Sequence, residues 1–132
     1  MTGPTDGATR GRVLIVDDEP NIVTSLEFVM RRSGFETAVA RDGEEALAEV
    51  ERFRPDLVLL DTMMPRRDGY EVCQVLRSSG WDDLKIVMLT AKGREAEVAK
   101  GLAVGADSYV VKPFSTRDLV AHVSELLGQD DE

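Results

Sequence analysis

Residues 56–61 read DLVLLD, a run of four consecutive aliphatic residues that ends abruptly at Asp61. An apolar run without alternating polar positions is typical of a strand that is buried on both faces, as in a parallel sheet. Four further runs have this character, the second of them more weakly: residues 13–16, 36–40, 86–89 and 109–111. The pattern therefore predicts five short strands at the centre of the fold.

Segments with apolar residues at helical spacing separate the predicted strands. The five helices are expected to begin near these positions: residues 22, 42, 69, 95 and 115. Strands that alternate with helices predict βαβ units and a parallel sheet that is covered on both faces. We expect an α/β fold of the flavodoxin-like, doubly wound (βα)5 type, with strand order 2-1-3-4-5. In such a sheet the ligand crevice lies where strands 1 and 3 diverge.

A chain of 132 residues is long enough to bury one continuous core and too short for two ordinary domains. The start of the chain is polar and rich in glycine, and its end is acidic. The expected organisation is a flexible extension over residues 1–11, one domain over residues 12–128 and an acidic tail over residues 129–132.

Composition and charge exclude several classes of partner. The net charge of −9 argues against direct contact with nucleic acid, because phosphate backbones are bound by Lys and Arg. No apolar run approaches the roughly 20 residues that cross a bilayer, and residues 1–11 lack the apolar stretch of a signal peptide. The single cysteine, Cys73, cannot form an internal disulfide, which fits a reducing compartment. We therefore expect a cytoplasmic protein without a membrane partner.

Polar side chains stand where the predicted strands end. They are Asp17 and Asp18 after strand 1, Asp61 after strand 3, Thr90 after strand 4 and Lys112 after strand 5. Parallel strands point their carboxyl ends to the same edge of a sheet, so these five side chains are expected to converge on the crevice. Taken alone, Asp17 and Asp18 could instead begin the first helix, since Pro20 stands at a favourable first helical position. Thr90 alone could merely cap a loop.

Three carboxylates that lie close together repel one another unless a cation neutralises them. Magnesium prefers hard oxygen ligands and commonly takes one or two carboxylates together with a phosphate. An aspartate can act as a nucleophile toward phosphorus and form an aspartyl phosphate. Lys112 could then contact a phosphate oxygen and Thr90 could donate a hydrogen bond to another. The sequence thus predicts a Mg²⁺-dependent phosphoryl-transfer site.

Four segments together resemble the receiver domain of two-component response regulators: VLIVDDEP (13–20), DLVLLDTMMPRRDGYE (56–71), IVMLTA (86–91) and GADSYVVKPF (105–114). The resemblance extends over about residues 12–127. By this resemblance Asp61 is the phosphoacceptor, and Asp17, Asp18 and the backbone carbonyl of Met63 are further metal ligands. The metal is Mg²⁺, for which Mn²⁺ can substitute. The resemblance assigns three more roles: a switch hydroxyl at Thr90, a phosphate-binding amine at Lys112 and a rotamer switch at Tyr109. It also implies a cis peptide bond between Lys112 and Pro113.

The function that the resemblance implies is signal transfer and not turnover of a substrate. A sensor histidine kinase or a histidine phosphotransfer protein would supply the phosphoryl group. Phosphorylation would re-set the face formed by helix 4, strand 5 and helix 5 for a protein target or for self-association. The domain would assist its own phosphorylation and slow dephosphorylation without being a free-standing enzyme. We expect a stand-alone regulator or a phosphorelay intermediate, the alternative being the receiver of a longer regulator with an output domain.

Two other classes of protein are compatible with parts of the pattern. A phosphatase of the haloacid dehalogenase type also forms an aspartyl phosphate on an α/β sheet. That family has a second Asp two residues after the first at the end of strand 1, where this chain has Glu19. The other class is an interaction module with the same fold and no chemistry, which would show no response to magnesium.

Overall fold

The structure is a computed structural model that describes residues 10–64, 67–91 and 98–128. Within these ranges five strands alternate with five helices. The strands are β1 (Arg12–Val16), β2 (Glu36–Ala40), β3 (Leu57–Asp61), β4 (Lys85–Ala91) and β5 (Ser108–Lys112). The helices are α1 (Pro20–Arg32), α2 (Gly43–Phe53), α3 (Gly69–Ser78), α4 (Val98–Ala103) and α5 (Thr116–Leu126).

The strands form one parallel sheet in the order β2-β1-β3-β4-β5, which confirms the predicted order and fold class. The register decides which residues meet at the carboxyl edge. Val16 of β1 is level with Leu60 of β3. The next residue of each segment, Asp17 and Asp61, therefore lies at the same edge of the sheet.

The core consists of two apolar layers, one on each face of the sheet. On one face Leu60 packs with Val50 of α2 and Val72 of α3. On the other face Leu59 packs with Leu26 of α1 and Leu119 of α5. All five residues of β3 are buried, because both of its faces are covered. This explains why the strand has a continuous apolar sequence and not an alternating one.

In the part of the chain that the structure describes, side-chain caps begin three of the helices. Asp42 accepts a hydrogen bond from the Glu45 amide at the start of α2, and Ser115 accepts one from the Asp118 amide at the start of α5. Asp68 begins α3 in a reciprocal capping box with Glu71. By contrast, α1 begins at Pro20 after Glu19, without a side-chain cap. The alternative that Asp17 or Asp18 caps α1 is therefore wrong.

One element differs from the sequence-based expectation, and another lies partly outside the described residues. β4 extends to Ala91, so that Thr90 lies within the strand and not at its end, because the β5 backbone pairs with it as far as Lys112. α4 is described from Val98 to Ala103 only, and the predicted start of this helix at Glu95 lies outside the described residues. The chain turns away from the helix at Gly105, whose φ of 111° favours glycine.

Residues 1–9 and 129–132 also lie outside the described ranges. The domain boundaries at residues 12 and 128 stay a prediction. Among the described helices, none has the length and apolarity that crossing a membrane requires.

Arg77 joins three segments at the amino edge of the sheet, opposite the predicted crevice. Its guanidinium donates hydrogen bonds to the carbonyls of Leu84 (2.7 Å) and Gly105 (2.9 Å) and forms an ion pair with Asp107 (2.9 Å). The Asp107 carboxylate in turn accepts a hydrogen bond from the Ile86 amide at 2.8 Å. This network ties the C-terminal end of α3 to the segments that lead into β4 and β5.

We expect Arg77→Met to lower the free energy of unfolding by about 2–4 kcal/mol, because the change leaves several partly buried acceptors without their donor. Arg52→Met is the matched control, since Arg52 forms an exposed ion pair with Glu49 within one helix. It should leave the stability unchanged within error. Urea unfolding followed by circular dichroism measures both, and equal stability of the two variants would contradict the role of Arg77.

Candidate functional site

Three carboxylates meet at the carboxyl edge of the sheet. Asp17 and Asp18 directly follow β1, and Asp61 is the last residue of β3. Each side chain offers an oxygen within 4.8 Å of the others. Asp17 is fully buried and Asp61 is 6% exposed, whereas Asp18 is exposed. The three residues therefore form a cluster with a buried floor and one side open to solvent.

Asp17 is held from two sides. One carboxylate oxygen accepts a hydrogen bond from the Glu19 amide at 2.9 Å, and the other accepts one from the Lys112 ammonium at 2.9 Å. The Asp17 amide donates to the carbonyl of Ala40 at the end of β2. These contacts fix the buried carboxylate in a single orientation.

Asp61 carries the strongest electrostatic perturbation at the site. Burial raises the pKa of Asp61 to about 6, and the negative charges of Asp17 and Asp18 add to this effect. The Met63 amide, which donates to Oδ1 of Asp61 at 3.2 Å, and the ammonium of Lys112, 3.7 Å from the same oxygen, oppose it. Attraction by one lysine thus does not offset burial and repulsion.

Lys112 lies at the end of β5 with its ammonium between Asp17 and Asp61. Burial opposes the charged form of Lys112, but the hydrogen bond to Asp17 and the charges of Asp61 and Asp17 outweigh it. The pKa of Lys112 is therefore raised, and the ammonium stays protonated at neutral pH. The peptide bond that follows, between Lys112 and Pro113, is cis, as the resemblance implied.

Two hydroxyl groups beside the cluster are buried without a hydrogen-bond partner in the described part of the chain. They belong to Thr62, which directly follows Asp61, and to Thr90 on the neighbouring strand. A buried hydroxyl without a partner costs free energy, so such groups are uncommon in native proteins. Each of these hydroxyls could therefore form a hydrogen bond with an additional polar group at this edge.

The cluster fits a hard divalent cation. Three carboxylates face one ammonium, which leaves an excess of negative charge that a Mg²⁺ ion could neutralise. Carboxylate oxygens are the ligands that Mg²⁺ prefers, and the exposed position of Asp18 leaves room for water or an incoming ligand. The Met63 amide contacts Asp61, which brings the Met63 backbone close to the carboxylates. The role of its carbonyl as a metal ligand stays a prediction.

The structure does not bring every predicted residue into this cluster. Tyr109 lies three residues before Lys112 on β5 and is 43% exposed. It lines a groove between β5 and α5 together with Phe114 and His122. A switching role for Tyr109 therefore stays a prediction.

The sequence-based prediction placed a helix start near residue 69 but gave Gly69, the first residue of α3, no role at the site. Its amide donates to the Thr62 carbonyl at 3.1 Å, and a Cβ at this position would overlap the carbonyl oxygen of Asp61. α3 thus begins in direct contact with the backbone of the site. The available signal was a glycine at a helix start, where other residues form helices more readily.

We expect Asp61→Asn to stabilise the metal-free protein above pH 6. The pKa of Asp61 is raised from its ordinary value of 3.8 to about 6, so the folded state binds more protons between these values. The free energy of unfolding of the wild-type protein therefore falls as the pH rises through this window. Asparagine removes the ionisation and should add about 1–2 kcal/mol above pH 6, a value reduced for screening by solvent at the open side.

This gain should disappear as the pH falls toward 3.8, because wild-type Asp61 is then protonated. Urea unfolding of both proteins with a chelator present, at several pH values, measures the difference. A stability difference that does not change with pH would contradict the perturbation of Asp61.

Residues 13–124 match the family described as response regulator receiver domain. The DNA-binding response regulator MtrA of Mycolicibacterium smegmatis is 48% identical over 123 residues, which are 93% of this chain and 53% of that protein. The alkaline phosphatase synthesis transcriptional regulatory protein PhoP of Bacillus subtilis is 46% identical over 120 residues, 91% of this chain and 50% of that protein. The chain thus spans about half the length of these curated relatives.

Solved structures agree with the sequence comparisons. The receiver domain of the Francisella response regulator 1452 superimposes with a TM-score of 0.83 at 31% identity, over 89% of this chain and 97% of that one. Chemotaxis response regulator CheY4 of Vibrio cholerae superimposes with a TM-score of 0.81 at 33% identity, over 87% of this chain and 97% of that one. Because the family match extends from β1 into α5 and the fold and acidic edge agree with it, the chain belongs to the response regulator receiver domain family.

Proposed function

We propose that this receiver accepts a phosphoryl group on Asp61 from a sensor histidine kinase or a histidine phosphotransfer protein, in a Mg²⁺-dependent reaction. The observation that carries the proposal is the cluster of Asp17, Asp18 and Asp61 around the ammonium of Lys112. Phosphorylation on aspartate and Mg²⁺ binding are typical of the family, and this chain has the side chains that both require.

Asp61 is suited to act as the nucleophile. Without a metal ion, a pKa of about 6 already leaves the carboxylate roughly nine-tenths ionised at pH 7, and a bound cation would favour the ionised form further. One of its oxygens attacks phosphorus as the bond from phosphorus to the imidazole nitrogen of the donor breaks. The electron pair of that bond returns to the donor ring, and an aspartyl phosphate results.

The other side chains at the carboxyl edge would position the phosphoryl group and neutralise its charge. Asp17 and Asp18, together with Asp61 and the Met63 carbonyl, would hold Mg²⁺, for which Mn²⁺ can substitute. The ion supplies neutralisation of charge on the phosphoryl oxygens. Lys112 lies 3.7 Å from Asp61, within reach of an oxygen of a phosphoryl group on that side chain.

Thr90 is the proposed switch. Its hydroxyl is buried and lacks a partner in the described residues, so a phosphoryl oxygen would satisfy it. Movement of Thr90 toward the phosphoryl group would leave space into which Tyr109, 43% exposed here, could turn. A switch from mostly inactive to mostly active needs about 5.5 kcal/mol of differential stabilisation. A few hydrogen bonds to a charged group, at about 1.5–3 kcal/mol each, supply this amount.

The switched surface is proposed to be the face formed by α4, β5 and α5, which would bind a protein target or a second copy of the chain. The names of MtrA and PhoP describe a DNA-binding and a transcriptional regulator. We propose for this chain that phosphorylation controls a DNA-binding output, carried on the same polypeptide or on a partner. The receiver itself, with a net charge of −9, would not contact the DNA.

We propose no substrate turnover beyond assisted phosphorylation and slow self-dephosphorylation. The haloacid dehalogenase alternative needs a nucleophile at the end of β1. That family also needs a second Asp two residues later, and the corresponding residue of this chain is Glu19.

Incubation of the wild-type protein with acetyl phosphate and Mg²⁺ should add one phosphoryl group, seen as an increase in intact mass. Asp61→Asn should take up none, and a chelator should prevent labelling of the wild-type protein. Asp83→Asn, a change in an exposed loop, is the matched control and should be labelled like the wild type. Equal labelling of Asp61→Asn and the wild type would refute the assignment of Asp61.

Thr90→Ala should still be phosphorylated but should not change conformation, because the hydroxyl that contacts the phosphoryl group is absent. Amide signals of β5 in heteronuclear NMR spectra, before and after phosphorylation, report the change. Thr90→Ser retains the hydroxyl and should respond like the wild type. A full spectral response in Thr90→Ala would contradict the role of Thr90 as the switch.

A further inference from the structure

We propose that Gly43 and Gly69 are positioning residues of the site, an inference that rests on the proposed function. Both allow unusually close backbone contacts, and together they connect the start of α2, through the start of α3, to the backbone that carries Asp61. Neither residue has a positive φ, so neither glycine is needed for its backbone conformation. Glycine is required at both positions because a side chain would overlap neighbouring atoms.

Gly69 is in direct contact with the site. A Cβ here would overlap the carbonyl oxygen of Asp61 and would lie 3.0 Å from Cα of Thr62. These are backbone atoms of β3 and of the residue after it, so no side-chain rotation could relieve the overlap. The hydrogen bond from the Gly69 amide to the Thr62 carbonyl, 3.1 Å long, holds the two segments together.

Gly43 does not contact the site directly but contacts the segment that precedes α3. It is the first residue of α2, it is buried, and a Cβ here would overlap Cβ of Arg67 and lie 2.6 Å from the Arg67 carbonyl oxygen. On the adjacent residue, the Glu44 carboxylate forms an ion pair with the Arg67 guanidinium at 2.8 Å. The start of α2 is thus packed against the chain just before α3.

Arg67 and Gly69 are separated by Asp68 alone, and a reciprocal capping box joins Asp68 to Glu71 in the first turn of α3. The Asp68 side chain accepts a hydrogen bond from the Glu71 amide, and the Glu71 side chain accepts one from the Asp68 amide. A displacement of Arg67 away from α2 is therefore transmitted to Gly69. From there it reaches the peptide between Asp61 and Thr62, on which the orientation of the Asp61 carboxylate depends.

Metal sites tolerate little displacement, because the ligands must be held to within about 0.5 Å of the productive geometry. Loss of a group that orients a metal ligand typically weakens metal binding by about 10- to 100-fold. A glycine that served only the packing of α3 would affect the stability of the fold but not the affinity of the folded protein for metal. Mg²⁺ affinity and stability must therefore be measured separately.

The experiment compares Gly43→Ala and Gly69→Ala with two controls. Gly101→Ala adds the same methyl group to a buried helical glycine whose nearest neighbours lie at an ordinary distance of 3.4 Å. Glu44→Gln removes the ion pair to Arg67 without adding an atom to the contact. Mg²⁺ dissociation constants come from isothermal titration calorimetry, and stabilities come from urea unfolding with a chelator present.

We expect Gly43→Ala to weaken Mg²⁺ binding by about 10-fold and Gly69→Ala by about 100-fold. Both controls should bind Mg²⁺ like the wild type. Wild-type affinity in folded Gly43→Ala would overturn the proposal, even if that variant were less stable. If Gly69→Ala does not fold, the Mg²⁺ affinity of Gly43→Ala tests the proposal. That variant should fold, because its added methyl group contacts a half-buried loop residue and not the sheet.

A double variant tests the path through Arg67. Arg67→Gly removes the Cβ that a methyl group on residue 43 would overlap, although the carbonyl oxygen at 2.6 Å remains. Gly43→Ala should therefore weaken Mg²⁺ binding less in the Arg67→Gly background than it does in the wild-type protein. Arg67→Gly alone is the reference for this comparison. An equal loss of Mg²⁺ affinity in both backgrounds would contradict transmission of the displacement through Arg67. Failure of the wild-type protein to bind Mg²⁺ would instead refute the proposed function, which keeps the two conclusions distinguishable.

Discussion

The arrangement of this receiver depends on the repulsion among carboxylates at the carboxyl edge of its sheet and on the one ammonium that opposes it. Lys112 donates to Asp17 at 2.9 Å and lies 3.7 Å from Asp61, while Asp18 completes the cluster. Burial raises the pKa of Asp61, the negative charges of Asp17 and Asp18 add to this effect, and the single positive charge of Lys112 does not offset them. The same excess of negative charge is what suits the edge to a divalent cation and a phosphoryl group.

Such repulsion persists only where the surrounding structure prevents the charges from moving apart. β1 and β3 are hydrogen-bonded neighbours with Val16 level with Leu60, and both strands are covered by helices on each face. Neither strand can shift without exposing apolar side chains on two faces at once. The hydrophobic core thus holds in place an electrostatic arrangement that is itself unfavourable.

The two edges of the sheet differ in how well their polar groups are satisfied. At the amino edge, Arg77 and Asp107 connect the segments before β4 and β5 through direct hydrogen bonds. At the carboxyl edge, Thr62 and Thr90 have buried hydroxyls without a partner in the described residues. Departures from ordinary stability rules often cluster at functional sites, since a site optimised for its ligand is incomplete without it. Here they occur at the same edge as the acidic cluster.

The strand order was predicted from the usual arrangement of five βα units. The sequence by itself determined the number of strands and the polar residues near their carboxyl ends. It could do so because these features are local: each apolar run is continuous, and a polar residue such as Asp61 directly follows or ends it. Only the tertiary structure decided that Asp17 is buried while Asp18 is exposed, and that Lys112 bonds to Asp17. The close contacts of Gly43 and Gly69 were likewise invisible in the sequence. These features depend on distances between segments far apart in the chain, which hydrophobic patterns do not encode.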